Sequence, residues 1–232
     1  MSDDQNTSTT SPTPASTPAP SPAATPTANI LANVEVAILV DTSGTMRKKD
    51  VRGGNLTRLQ AVRESAAALA DELEKYDDDG ITIVRFAGTV ELHDNVTRAG
   101  DKLDNLFEEF RPMGSTNTAG ALQKVIDKFL DKRQAQGNIK PACIICFTDG
   151  EPDDKLAVAK VIVDATKRIK SRDELGILFV QVGSDQDATD YLDKLNSHLT
   201  EAGATLDIVA VKKLDDLEKL TPEEIVKIAF TE

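Results

Sequence analysis

From residue 30 onward the chain alternates short aliphatic runs with longer amphipathic stretches. VEVAILV (34–40) is an unbroken apolar run of strand length, suited to a strand covered on both faces. In TRLQAVRESAAALADELEKY (57–76), Leu59, Val62, Ala66, Leu69 and Leu73 recur at helical spacing. ITIVRFAG and TVELHDNV (81–96) predict two strands joined by a very short turn around Gly88, hence an antiparallel pair. A short helix is expected near Leu103 to Phe110, followed by the loop RPMGSTNT and a helix in AGALQKVIDKFL (119–130). The remaining pattern predicts a strand in ACIICFTD, a helix over 154–171, a strand in GILFVQVG and a helix in DATDYLDKLNSHL. LDIVAVK (206–212) reads as the last strand, and TPEEIVKIAF as a closing helix with Pro222 in its first turn.

Strands separated by helices of ten or more residues imply βαβ units and a mostly parallel sheet. The expected fold is therefore α/β: a doubly wound, Rossmann-like sheet of six mainly parallel strands, with one antiparallel edge strand and helices on both faces. Residues 30–232 form this domain in the reading. Residues 1–29 are mainly Ser, Thr, Pro and Ala and lack aromatic residues. Such a segment cannot bury enough apolar surface to offset the entropy of ordering, so a disordered tail is expected.

Composition narrows the function classes. With 232 residues, 40% apolar and 28% charged, the chain has the make-up of a soluble globular protein. A formal charge of −12 argues against a general nucleic-acid binder, which needs a basic surface. No stretch reaches the ~20 apolar residues needed to span a bilayer. MSDDQNTSTT lacks the apolar segment of a signal peptide, so a cytoplasmic location, with no membrane association, is expected. Cys143 and Cys146 lie inside an aliphatic run rather than at a helix start, which predicts buried small hydrophobes and not a redox pair.

The chemistry concentrates in three polar stretches: DTSGT after the first strand, GSTNT entering a helix, and TDGE after the fourth strand. In doubly wound sheets, ligands bind beyond the carboxyl ends of the strands. That placement gathers Asp41, Ser43, Thr45, Thr116 and Asp149. All five ligate through oxygen, which suits a hard divalent cation such as Mg²⁺, with Mn²⁺ or Ca²⁺ as alternatives. Two carboxylates balance the ion while neutral hydroxyls fill positions without adding charge. The ion then stays electrophilic and accepts an Asp or Glu carboxylate from a protein partner. Arg47, Lys48, Lys49, Arg52, Arg58 and Arg111 flank these loops and are suited to drawing in an acidic partner. Arg47, Arg111 and Glu151 are the candidate partner contacts.

These three motifs, in this order, resemble the metal-ion-dependent adhesion site of von Willebrand factor type A domains. The resemblance covers nearly everything after residue 30. The family motif is usually DxSxS, from which Thr45 departs while keeping the hydroxyl. The resemblance implies that Ser43, Thr45 and sometimes Thr116 touch the metal directly, whereas Asp41 and Asp149 often act through water. TDGEPDD and the C-terminal segments look most like bacterial intracellular members, including those of tellurite-resistance and stress clusters.

The expected function is thus metal-dependent protein binding as an adaptor or scaffold, without catalysis. One alternative is a subunit of an AAA-type ATPase or metal-insertion complex, as in some family members. A Mg²⁺-dependent phosphatase of haloacid-dehalogenase type is disfavoured. It needs a second Asp two residues after the first, and Ser43 stands there and cannot shuttle that proton.

Overall fold

The computed structural model describes Met1 and residues 30–76, 80–97, 102–137 and 140–231. The proposed tail therefore lies, except for Met1, outside the described residues. Strand β1 (Glu35–Asp41) is central and pairs in parallel with β2 (Ile81–Phe86) on one side and β4 (Ala142–Thr148) on the other. β2 carries β3 (Val90–Val96) antiparallel at one edge, while β5 (Leu175–Gln181) and β6 (Val209–Lys213) extend the parallel sheet beyond β4. The order is β3-β2-β1-β4-β5-β6, a six-stranded sheet with five parallel strands and one antiparallel edge strand, as expected.

The continuous aliphatic strands sit between two helical layers. Ile38 and Val40 of β1 pack with α1 (Arg58–Leu73), α2 (Lys102–Glu109), α6 (Leu214–Leu217) and α7 (Pro222–Thr231). Ala37 and Leu39 face α3 (Thr118–Gln136), α4 (Lys155–Thr166) and α5 (Gln186–His198). Side chains of successive strand residues point to opposite faces, so an unbroken apolar run fills both cores. The same alternation separates the cysteines. Cys143 joins one core and Cys146 the other, both fully buried, which sets them on opposite faces of β4. Burial pushes the Cys143 thiol up to about 12, and burial, then the Asp41 carboxylate, raises Cys146 as well.

Helix boundaries depart from the apolar pattern where capping and solvent-facing residues decide. α3 runs six residues past Leu130 because Asp131–Gln136 favour helix without needing burial, and Gly137 (φ 82°) stops it. α4 stops at Thr166 rather than near 171: the Thr166 hydroxyl donates to the Val163 carbonyl, and its own carbonyl accepts from the Thr205 hydroxyl. β6 starts at Val209, three residues later than the apolar run at Leu206, and is followed directly by the four-residue α6. Among the described residues no helix is long and apolar enough to cross a membrane.

Candidate metal centre

The sheet order reverses direction at β1: its chain continues to β2 on one side, while β4 on the other side leads to β5. The carboxyl ends of β1 and β4 therefore border the crevice where such folds bind ligands. Asp41 closes β1 and Asp149 follows β4, so strand pairing between Val40 and Phe147 brings the two carboxylates to one edge. Both are buried.

Each carboxylate is held by short, local chemistry. Asp41 Oδ1 accepts from the Ser43 backbone N–H at 2.7 Å, and Oδ2 from the Thr148 hydroxyl at 2.9 Å. Burial, with the nearby Asp149 charge, outweighs these hydrogen bonds and pushes the Asp41 carboxyl up to about 6. The chain then turns through Ser43–Gly44–Thr45, which places two hydroxyls on the same side. Thr45 Oγ1 donates to Asp149 Oδ1 at 2.9 Å and lies 3.1 Å from Ser43 Oγ. Because the Thr45 proton is committed to Asp149, the Ser43 hydroxyl is the donor to Thr45. Both hydroxyls thus keep lone pairs for a cation while their protons point along the chain to Asp149.

The structure joins Asp41, Ser43, Thr45 and Asp149 but holds Thr116 differently. Thr116 is half-buried, and its backbone N–H donates to the Asp153 carboxylate while its carbonyl accepts from the Asp153 N–H. Its side chain makes no hydrogen bond to the other four residues. The 111–116 loop is fastened to the DTSGT turn by Met113 N–H to the Thr42 carbonyl (2.8 Å) and by Arg47 Nε to the Pro112 carbonyl (2.7 Å). Of the candidate partner contacts, Arg47 is spent on that anchor, Arg111 folds back onto the Phe110 and Glu108 carbonyls, and exposed Glu151 pairs with Lys155.

Two of the flanking basic residues suited to drawing in a partner are already paired within the domain. Arg52 pairs with Glu64 and Glu218, away from the metal-site residues. Arg58 is only 2% exposed and bridges Asp50 and Asp149, which a basic residue beside a polar loop gives no local sign of. Its charge is offset by Asp50 and Asp149 at contact distance, which leaves little of it to steer a distant partner. Thr148 and Asp153 are further contributors that the sequence reading did not single out.

The donor set fits a hard divalent cation, since two buried carboxylates and two hydroxyls with free lone pairs converge at one strand edge. Among the described residues no group of three or more His, Cys, Asp or Glu is gathered for a metal, so a cation here depends on the hydroxyls. Bound, it would be held by Asp41, Ser43, Thr45 and Asp149, and would supply a Lewis-acidic point for an incoming oxygen ligand.

No curated protein sequence matches the chain. Among solved structures, the chain is similar to an aerotolerance-related membrane protein of Bacteroides fragilis (17% identity, TM-score 0.53, covering 85% of this chain and 98% of that one). It is also similar to manganese-loaded TRAP protein of Plasmodium vivax (16% identity, TM-score 0.54, 83% and 74% covered). A third likeness is to BatB, a conserved hypothetical protein of Bacteroides thetaiotaomicron (18% identity, TM-score 0.51, 84% and 98% covered). At these identities the likeness is one of fold. The family model described as von Willebrand factor type A domain matches residues 36–151, from β1 through all three polar motifs to Glu151, and the chain belongs to that family.

Proposed function

We propose that this domain binds a protein partner through a divalent metal, with Mg²⁺ as the ion, or Mn²⁺ or Ca²⁺ in its place. Asp41, Ser43, Thr45, Thr116 and Asp149 hold it, and a partner's Asp or Glu carboxylate completes its shell. The observation that carries this reading is the Ser43–Thr45–Asp149 hydroxyl chain beside buried Asp41 at the sheet's switch point. Family membership supports it, because von Willebrand factor type A domains commonly mediate metal-dependent protein interactions, and one neighbour of the same fold is manganese-loaded. The charge count supports docking over hydrolysis. Two protein carboxylates balance a divalent ion, and the neutral hydroxyls leave it able to attract a third carboxylate.

The reading is of a non-catalytic adaptor acting in the cytoplasm of a bacterial cell, in the manner of the stress-associated members its sequence resembles. Immobilised domain, presented with lysate of the native cell, should capture a partner in Mg²⁺ and release it in chelator. Asp41→Asn should capture none. A partner retained equally by wild type in chelator and by Asp41→Asn would mean that binding occurs elsewhere on the domain.

A further inference from the structure

Arg58 is the first residue of α1, entered through a capping box in which Thr57 and Gln60 exchange hydrogen bonds. Its backbone is pinned by a bond from its N–H to the Lys48 carbonyl (2.9 Å). From there the side chain runs inward rather than to solvent. Nη1 donates to Asp149 Oδ2 at 2.6 Å, while Nε and Nη2 grip Asp50 Oδ1 and Oδ2 at 2.8 and 2.5 Å. Gly183 (φ +87°) covers the guanidinium so closely that a Cβ there would lie 2.6 Å from Nη2. The fold thus spends a positive-φ glycine on making room for one buried cation.

The two oxygens of Asp149 are divided: Oδ1 faces Thr45 and the hydroxyl chain, and Oδ2 is taken by Arg58. We propose that Arg58 is a resident counter-cation of the metal centre, a positioning residue that holds Asp149 by one oxygen and keeps the bound metal weakly held and exchangeable. The inference rests on the metal-site reading above and adds a residue to it. Asp41, Asp149 and Asp50 carry three negative charges against the single positive charge of Arg58. Metal-free, the guanidinium keeps a buried carboxylate from standing uncompensated. With a divalent ion added, the four side chains and the ion sum to zero, and the guanidinium repels the ion across the carboxylate they share.

Charge changes at the two ends of this clamp should therefore move metal affinity in opposite directions. Arg58→Met leaves three carboxylates with no resident cation, and Asp50→Asn leaves the cation less balanced. Calorimetric Mn²⁺ titration of the full chain, paired with thermal unfolding with and without Mn²⁺, separates this from a scaffolding role. Arg58→Met should melt earlier without metal, gain more from Mn²⁺ than wild type does, and bind it about tenfold more tightly or better, from Coulomb's law for a divalent ion and a guanidinium on one carboxylate. Asp50→Asn should bind Mn²⁺ several-fold more weakly. Arg58→Lys, which keeps the charge, should stay near wild type in affinity.

If Arg58 only braces the fold, all three substitutions loosen the site and weaken Mn²⁺ binding together, which overturns the proposal. Arg58→Met that stays unfolded even in saturating Mn²⁺ overturns it too, because the metal then fails to replace the missing cation. Wild type that binds no Mn²⁺ while Arg58→Met does supports the counter-cation role in its strongest form. Absence of binding in both overturns this inference and the metal-site reading together, whereas binding by wild type with no gain in Arg58→Met sinks this inference alone.

Discussion

Thr45 and Asp149, 104 residues apart in sequence, meet through a 2.9 Å hydrogen bond from the threonine hydroxyl to Oδ1 of the carboxylate. The contact closes the gap between the turn after β1 and the loop after β4, and it places a neutral donor where a third carboxylate would otherwise add charge.

Replacing Thr45 by Asp tests that placement. An added carboxylate against Asp149 Oδ1 would face like charge in the metal-free protein, lowering its melting temperature. Metal relieves the repulsion, so the thermal gain from Mg²⁺ should exceed that of wild type. Partner binding should weaken at the same time, because the ion becomes less electrophilic. Parallel thermal and binding measurements check it. Metal and partner affinities that rise or fall together would speak against the charge-count argument.

Asp41 supplies a pH signature. Its folded carboxyl titrates near 6, above the ordinary 3.8, because burial disfavours the charge. The metal-free folded state therefore binds a proton between those values that the unfolded state does not. Its stability should fall as pH rises through that window and then stay level, by an amount on the order of 3 kcal/mol from the size of the shift. Metal needs the ionised form, so Mg²⁺ affinity should drop by about tenfold per pH unit below 6 and flatten above it. An affinity that is constant from pH 5 to 7 would show that Asp41 takes no part in binding.

The domain boundary is open to truncation. Deleting residues 1–28 removes no segment with periodic apolar residues, so the melting temperature should move by no more than a degree or two. Leu31 and Val34, just beyond, are 2% and 3% exposed in the core of the α1 face. Leu31→Ala in the shortened chain should cost about 2–5 kcal/mol. A fall of several degrees from the deletion alone would move the boundary toward the N-terminus.

Much of this molecule is legible in its sequence because its signals are local. The aliphatic runs of β1, β4 and β5 announce strands buried on both faces, and DTSGT and TDGE carry their carboxylates and hydroxyls within a few residues. α6 escapes the pattern because four residues are too few to show a helical period. The far end of α3 escapes it because its last turns face solvent and hold no apolar stripe. Arg58 is the more instructive case. A basic residue opening an amphipathic helix reads as solvent-exposed, and only Asp149, 91 residues away, together with the backbone of Gly183, makes it buried.

Titration calorimetry of Mn²⁺ into wild type and Asp41→Ala at pH 7.5 tests the metal centre most directly. The substitution removes a buried carboxylate that would otherwise cost free energy uncompensated, so the variant should stay folded by circular dichroism. Wild type should bind one ion per chain, and at ~100 times the dissociation constant that ion should add ~2.7 kcal/mol of stability. Asp41→Ala should show neither the heat nor the stabilisation. Equal binding by a folded Asp41→Ala, or no binding by wild type, would contradict a metal centre at the end of β1.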